Sequence, residues 1–185
     1  MTEARAGKRT VFFVDAAHFV LGAYLGYLWC FARICLRTPS GRQRFNVLGA
    51  LNAVNHQLIT VTNDAYINAE SVCELLKKLK GLGLSTPITV VLDNSRYQRC
   101  VKVMESAATL GIELLFLPPY SPNLNLIERL WKFVKKECLY SKYYSSFADF
   151  KQAIQTCLGE TEGRHRKALD TLLTLNFQLF DNLTL

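Results

Sequence analysis

Two short apolar runs in the sequence each end in an aspartate. Residues 10–14, which are rich in valine and phenylalanine, lead into Asp15, and residues 88–92 lead into Asp93. Continuous apolar runs of this length are typical of strands that are buried on both faces. In open α/β sheets, active sites lie at the carboxyl ends of such strands. The two runs therefore predict an α/β fold in which both aspartates lie at one edge of the sheet.

The hydrophobic period changes along the chain and indicates the rest of the fold. Strand-like runs at residues 27–36, 45–53 and 58–62 are joined by short turns, which is typical of an antiparallel meander. Apolar residues then recur at helical spacing in four segments, residues 68–81, 101–111, 125–140 and 146–158. A further strand is predicted over residues 112–117. Together these segments predict a mixed sheet, with an antiparallel meander and parallel strands, flanked by helices.

The composition excludes several classes of protein and favours an anionic partner. Half of the 185 residues are apolar and 20% are charged, which is typical of a globular protein and not of a disordered or fibrous chain. The six cysteines form no CxxC pair, which indicates free thiols in a reducing cytosol. No run of 18 apolar residues occurs, so no membrane span is expected. The net charge of +7 favours nucleic acid as a partner.

A third acid, Glu128, follows a proline-rich loop near the start of a predicted helix. Three carboxylates brought together would repel one another unless divalent cations lie between them, and such oxygen ligands suit Mg²⁺ or Mn²⁺. Each acid also has a simpler interpretation. Asp15 and Asp93 can start a turn after a strand, and Glu128 can form a capping box with Asn125. With the basic charge, the three acids favour two-metal chemistry on a nucleic-acid phosphodiester.

Longer residue strings around the three acids resemble a known family. Residues 117–131, Leu-Pro-Pro-Tyr-Ser-Pro-Asn-Leu-Asn-Leu-Ile-Glu-Arg-Leu-Trp, resemble the third-acid motif of the IS630 family of insertion-sequence transposases, part of the IS630–Tc1–mariner group of DDE transposases. Residues 90–94 and 12–19 resemble the second-acid and first-acid motifs of that family. The 34 residues between the second and third acids also resemble the spacing in group members whose third acid is Glu.

The resemblance implies a domain organisation and an activity. It implies a ribonuclease-H-like DDE catalytic domain over residues 10–160, preceded by a basic tail over residues 1–9 and followed by a helical extension over residues 161–185. The implied reaction is cleavage at transposon ends by water, followed by transfer of a 3′-hydroxyl onto target DNA. The implied partner is double-stranded DNA, bound by a homodimer in the cytoplasm at the nucleoid.

The resemblance also implies roles for individual residues. Asp15, Asp93 and Glu128 are expected to be catalytic and to hold Mg²⁺ or Mn²⁺, with two ions when DNA is bound. From its position beside Asp93, Asn94 is a candidate to orient water or phosphate near the metals. His18, three residues after Asp15, is expected to have a structural role or to support a metal ligand without binding the metal itself.

Two basic clusters are candidates for contact with DNA phosphate. The first lies in the turn region after the second strand-like run and contains Arg37, Arg42 and Arg44, together with Arg33. The second follows Glu128 on its predicted helix and contains Lys132, Lys135 and Lys136. A solvated hairpin tip and an ordinary charged helix face are the alternative interpretations. Arginine and lysine contacts of this kind would go to phosphate and carry no base information.

The sequence departs from the family pattern in three respects. Leu126 stands where members commonly have proline, and Gln98 lies near the place of a histidine found in many members. Full transposases of the family begin with helix-turn-helix modules, whereas this sequence begins almost at its first catalytic strand. The chain is therefore expected to be a fragment, one frame of a split gene or a decayed copy. A nuclease of the same fold without strand transfer, and a DNA-binding remnant without activity, are the alternative functions.

Overall fold

The computed structural model describes residues 1–22, 31–32, 43–119 and 121–177. Within these residues the strands are β1 (Thr10–Leu21), β2 (Gln43–Asn52), β3 (Leu58–Asn63), β4 (Ile88–Leu92) and β5 (Ile112–Phe116). The α-helices are α1 (Thr2–Arg5), α2 (Ala69–Gly81), α3 (Val101–Leu110), α4 (Ile127–Leu139), α5 (Phe147–Gly159) and α6 (Arg166–Leu172), with a 3-10 turn at Pro122–Leu124. In this described part, no helix has the length and apolar character needed to cross a membrane.

The five strands form one mixed sheet in the order β3-β2-β1-β4-β5. The pairs β1–β2 and β2–β3 are antiparallel, whereas β1–β4 and β4–β5 are parallel. The predicted mixed sheet flanked by helices is therefore confirmed. Local signals set several helix ends, because the side chain of Asn68 accepts a hydrogen bond from the Ser71 amide at the start of α2 and Gly111 ends α3 with a φ of +65°.

The first strand is longer than its sequence indicated. The sequence predicts a strand that ends at Asp15, but β1 is 12 residues long and runs on to Leu21. It serves as the first strand of the antiparallel meander. Its parallel partner is much shorter, and the last β1–β4 pair in the register is Phe13 with Val91. Asp15 therefore lies just past the end of the parallel ladder and inside the antiparallel one. The predicted strand over residues 27–36 lies almost entirely outside the described residues.

Strand alternation divides the core into two layers, one on each face of the sheet. Phe12 and Val14 pack with α2 and α3 on one face. Phe13 and Ala17 pack with α4, α5 and α6 on the other. Because side chains alternate along a strand, Asp15 belongs to the face that carries α4. Leu169 of α6 is buried in this same layer, so residues after 160 contribute to the core beneath the site.

A buried side chain replaces the missing ladder partner where β4 ends. The Val11 carbonyl accepts a hydrogen bond from Ala53 on the β2 side, and alternation then points the Val14 carbonyl toward the side of β4. Asn125 fills that position, since its Nδ2 donates to the Val14 oxygen at 3.2 Å and the residue is 4% exposed. Helix α4 begins at Ile127, and Leu126, the residue at its N-cap position, makes no side-chain capping hydrogen bond. The capping box between Asn125 and Glu128 considered from sequence is therefore absent.

We expect replacement of Asn125 by alanine to lower the free energy of unfolding by about 1–3 kcal/mol, because the buried Val14 carbonyl would lose its donor. Asn125→Asp conserves size but replaces the donor with an acceptor, so it should destabilise at least as strongly. Urea unfolding of both variants measures the effect. Full stability in Asn125→Ala would contradict this role for the amide.

Candidate active site

One cavity of about 480 Å³ lies where the parallel strands end, and all three predicted acids line it. Asp15 comes from β1, Asp93 follows β4 directly, and Glu128 lies in the first turn of α4. Neighbouring wall residues come from the loop after β5, with Pro118 and Pro119 among them. Because each proline fixes its own φ, this loop forms a stiff wall. The structure thus brings acids from three separate elements around one opening.

The electrostatics of the cavity are unfavourable for a charged Asp15. Burial raises the pKa of Asp15 to about 7, and the carboxylates of Glu128 and, more weakly, Asp93 add to the rise. A hydrogen bond from the Ala16 backbone acts in the opposite direction. Near neutral pH the Asp15 carboxyl is therefore divided between its neutral and charged forms, which is unusual for an aspartate.

Hydrogen bonds fix the turn that follows β4. The Ser95 amide donates to Asp93 Oδ1 at 3.2 Å, which holds one side of the carboxylate. Asn94 Nδ2 donates to the Leu117 carbonyl, and Asn94 Oδ1 accepts from Arg99 at 3.1 Å. Asn94 lines the cavity, but one end of its amide joins the ends of β4 and β5 and the other holds Arg99 in the segment before α3. Its expected role toward water or phosphate stays a prediction.

His18 requires a correction. It lies three residues after Asp15 on an uninterrupted strand, and an odd separation places two side chains on opposite faces of a sheet. The His18 ring contacts Asn46 on that other face, with Nδ1 2.6 Å from Asn46 Oδ1. Asn46 in turn donates to Asn63 of β3. His18 therefore takes part in a polar network that joins three strands and does not support the acids from behind.

The basic residues predicted to contact DNA are only partly described. Arg37 and Arg42, with Arg33, lie outside the described residues, whereas Arg44 is exposed on β2. All three lysines of the second cluster are exposed on α4: Lys132, Lys135 and Lys136. The role of the two clusters in DNA contact stays a prediction.

Sequence reasoning missed Arg129, the residue that directly follows Glu128. Its guanidinium donates to the carbonyls of Thr174 at 2.7 Å and Asn176 at 2.8 Å, and it lies 5.7 Å from the ring of Phe177. The C-terminal segment over residues 172–177 is thereby held against the first turn of α4. The only sequence signal for this role is the position of an arginine inside the third-acid motif.

The residue types around the cavity fit a hard divalent cation. Carboxylate oxygens are the ligands that Mg²⁺ and Mn²⁺ prefer. Burial raises the pKa of Asp15 most, and the negative charge of Glu128 and Asp93, which a cation would offset, adds to the rise. In residues 1–22, 43–119 and 121–177, however, no three His, Cys, Asp or Glu side chains are already gathered closely enough to hold an ion. The donor set therefore fits in chemistry, and the carboxylates would have to draw together around a metal.

Solved structures with the same fold come from retroviral integrases and a mariner transposase. The chain resembles a chain of the simian T-cell lymphotropic virus intasome, solved with the PP2A regulatory subunit B56 gamma, with a TM-score of 0.57, 16% identity, and coverage of 83% of this chain and 48% of that one. For the Mos1 transposase paired-end complex with the left transposon end the TM-score is 0.57 and the identity 13%, and the match covers 89% of this chain and 55% of that one. For the HTLV-2 integrase catalytic core domain in complex with magnesium the TM-score is 0.55 and the identity 12%, and the match covers 83% of this chain and 86% of that one.

These identities are low, so the likeness shows the shared ribonuclease-H-like fold alone. The chain spans about half the length of the first two matched chains. No curated protein matches the sequence.

The decisive comparison is with families. The model of the DDE superfamily endonuclease family matches residues 10–151, a range that runs from the start of β1 into α5 and contains all three acids. The chain therefore belongs to the DDE superfamily endonuclease family.

Proposed function

We propose that this chain is the catalytic domain of a DDE transposase of the IS630 family, which cuts DNA at transposon ends and joins the ends to target DNA. The observation that carries the proposal is the cavity in which Asp15, Asp93 and Glu128 meet from three elements. The IS630 assignment rests on the residue strings around those acids, and the family match supports DDE chemistry. The complete transposition reaction is proposed for a longer protein or assembly, because the chain spans about half of Mos1 transposase.

In this proposal the three carboxylates hold Mg²⁺ or Mn²⁺, two ions when DNA is bound. Bound cations would supply an activated water and stabilise charge on the attacking and leaving oxygens. The charges of Glu128 and Asp93 both raise the pKa of Asp15, so we assign Asp15 the central place among the ligands. The Ser95 amide keeps the Asp93 carboxylate oriented, and Pro118 and Pro119 line the cavity beside the acids.

Lysines on α4 provide a path for the DNA backbone toward the acids. Lys132 and Lys135 lie four and seven residues after Glu128, so they share its helix face, and both are exposed. Such residues neutralise phosphates and hold DNA without reading its sequence. We propose that the protein acts as a homodimer on DNA and is located in the cytoplasm at the nucleoid. The solved Mos1 complexes with a transposon end are consistent with DNA as the partner.

The central test separates catalysis from folding at Glu128. We expect Glu128→Gln to abolish Mn²⁺-dependent cleavage of labelled transposon-end DNA, because a neutral amide cannot serve a hard cation as a carboxylate does. Its melting temperature should stay equal or rise slightly, since no capping bond is lost and one repulsive charge is removed. Glu137→Gln, an exposed acid on the same helix, is the matched control and should cut normally.

Cleavage retained in Glu128→Gln would remove Glu128 from the active site. Cleavage of the DNA ends without any joined product in the parent chain would favour the nuclease alternative. Absence of Mn²⁺-dependent cleavage in the parent chain would favour the inactive remnant.

DNA binding should depend steeply on salt and only weakly on sequence. Each phosphate contact that is lost should reduce the slope of log K against log salt by about 0.9. We therefore expect Lys132→Ala and Lys135→Ala each to lower this slope, while Lys77→Ala, an exposed lysine of α2, leaves it unchanged. Fluorescence anisotropy with two unrelated duplexes between 50 and 200 mM salt measures the effect. An unchanged slope in both α4 variants would separate this helix face from DNA.

The raised pKa of Asp15 generates a prediction about stability and pH. Between its ordinary value of 3.8 and about 7 the folded chain keeps a proton that the unfolded chain releases. This term therefore makes stability fall as pH rises through that interval, by up to about 1.4 kcal/mol per pH unit, and then level off. Asp15→Asn should lack the term, so its stability relative to the parent should grow from pH 4 to pH 7 in EDTA.

Mn²⁺ should restore stability at pH 8 in the parent chain and leave Asp15→Asn nearly unaffected, because a bound cation stabilises the charged carboxyl against both its burial and the repulsion from Glu128 and Asp93. Urea unfolding at several pH values, with and without the metal, measures both effects. A constant difference between the two chains across the pH range would show that Asp15 titrates as an ordinary aspartate.

A further inference from the structure

A glycine on β2 lies directly across from Asp15. Asp15 and Gly49 are paired in the β1–β2 register, and Gly49 lies between Val47 and Leu51, which both face α4. A Cβ built on Gly49 would lie 2.7 Å from Cη2 and 2.8 Å from Cζ2 of Trp131. Those distances are well below ordinary contact, so the six-membered ring of the indole rests on the bare backbone of β2. No other residue type would leave room for this approach.

The same contact reaches the turn of α4 that carries Glu128. Trp131 follows Glu128 by three residues, so the two side chains lie on neighbouring positions of one helix face. Ile127, the first residue of α4, also lies against Gly49, with its Cδ1 3.0 Å from the position of a Cβ. Trp131 is 2% exposed and Ile127 is fully buried. The start of α4 therefore meets the sheet at Gly49, a position of β2 that has no side chain.

Two sets of hydrogen bonds also act on that turn, from Asn125 to Val14 and from Arg129 to residues 174–176. Helix α4 has no side-chain cap at its start, so the first turn takes its position from tertiary contacts. Trp131 Nε1 is buried without an acceptor within hydrogen-bonding distance, although the N–H is close enough to Asp15 to lower the pKa of its carboxyl slightly. A donor that is buried beside Asp15 and left without a full hydrogen bond costs stability. The ring is therefore held mainly by packing in the buried core, where it lies against the backbone of Gly49.

We infer that Gly49 and Trp131 form a seat that sets the separation between Glu128 and Asp15, which makes Trp131 a positioning residue for the site. The inference rests on the proposed function for its consequence, since the separation of two carboxylates decides how well they share a cation. A side chain at Gly49 would push the ring, and with it the turn that carries Glu128, away from β1. How closely the Trp131 ring approaches Gly49 thus sets the separation of Glu128 and Asp15, although neither Gly49 nor Trp131 contacts DNA or metal.

The test is a cycle of three variants, Gly49→Ala, Trp131→Phe and the double variant. Gly49→Ala should raise the Mn²⁺ concentration at the midpoint of the metal-induced thermal shift and lower cleavage, each by about tenfold or more, because small misplacements of reacting groups carry large penalties. Phenylalanine lacks the two ring atoms that meet the added methyl group. The alanine should therefore do far less harm in the Trp131→Phe background than in the parent. Gly159→Ala, at a glycine with nothing within 4 Å, is the matched control and should bind Mn²⁺ normally.

Metal binding and a crystal structure of Gly49→Ala separate the possible outcomes. Displacement of the first turn of α4 away from β1, with a raised Mn²⁺ midpoint, supports the seat. An undisplaced α4, or a midpoint equal to that of the parent in a folded variant, would overturn it while leaving the proposed function intact. If the parent chain shows no Mn²⁺-induced shift and no cleavage, the proposed function fails. A displaced α4 in that case still supports the seat as the element that sets the distance between the two acids.

Discussion

The unequal lengths of β1 and β4 organise the functional end of this molecule. The parallel ladder stops at Phe13 and Val91, while β1 continues beside β2 for another eight residues. The step leaves one β1 carbonyl without a strand partner and opens the space in which Asp93 turns toward Asp15. Asn125 satisfies that carbonyl from the loop before α4. The Asn125 side chain thus replaces a hydrogen bond that β4 does not make to the Val14 carbonyl. This contact holds the loop before Glu128 next to Asp15.

Elements with a strong period were predictable from the sequence. The short buried strands and the helices opened by Asn68 and Ser146 have their signals within a few residues, because capping and hydrophobic spacing act locally. The extent of β1 was not predictable in this way. Its second half alternates between buried and exposed positions and pairs only with the antiparallel partner. The pattern alone therefore predicts that the strand ends at Asp15.

At the site, the identity of the acids could be predicted from nearby residues, whereas their geometry depends on contacts between distant parts of the chain. The grouping of the three acids followed from residue strings, whereas the capping box at Glu128 was wrong because Asn125 is held by Val14 instead. The face of His18 could have been deduced, since three residues along a strand reverse the side. Gly49 carried no signal, because a close approach of helix and strand becomes visible only when both are placed. Tertiary contacts, and not motif spacing, fix the geometry of the acids.

Phe177 packs against Phe13 with ring centroids 5.9 Å apart, and the backbone just before it is held by Arg129 beside Glu128. This contact joins the first strand to one of the last described residues, so almost the whole chain lies inside the loop that it closes. Closing so long a loop carries a large cost in chain entropy. During synthesis, α4 can pack on the sheet before residues 172–177 have emerged, but its first turn gains this support only afterwards. A nascent chain therefore lacks this support for the turn that carries Glu128 until residues 172–177 have been synthesised.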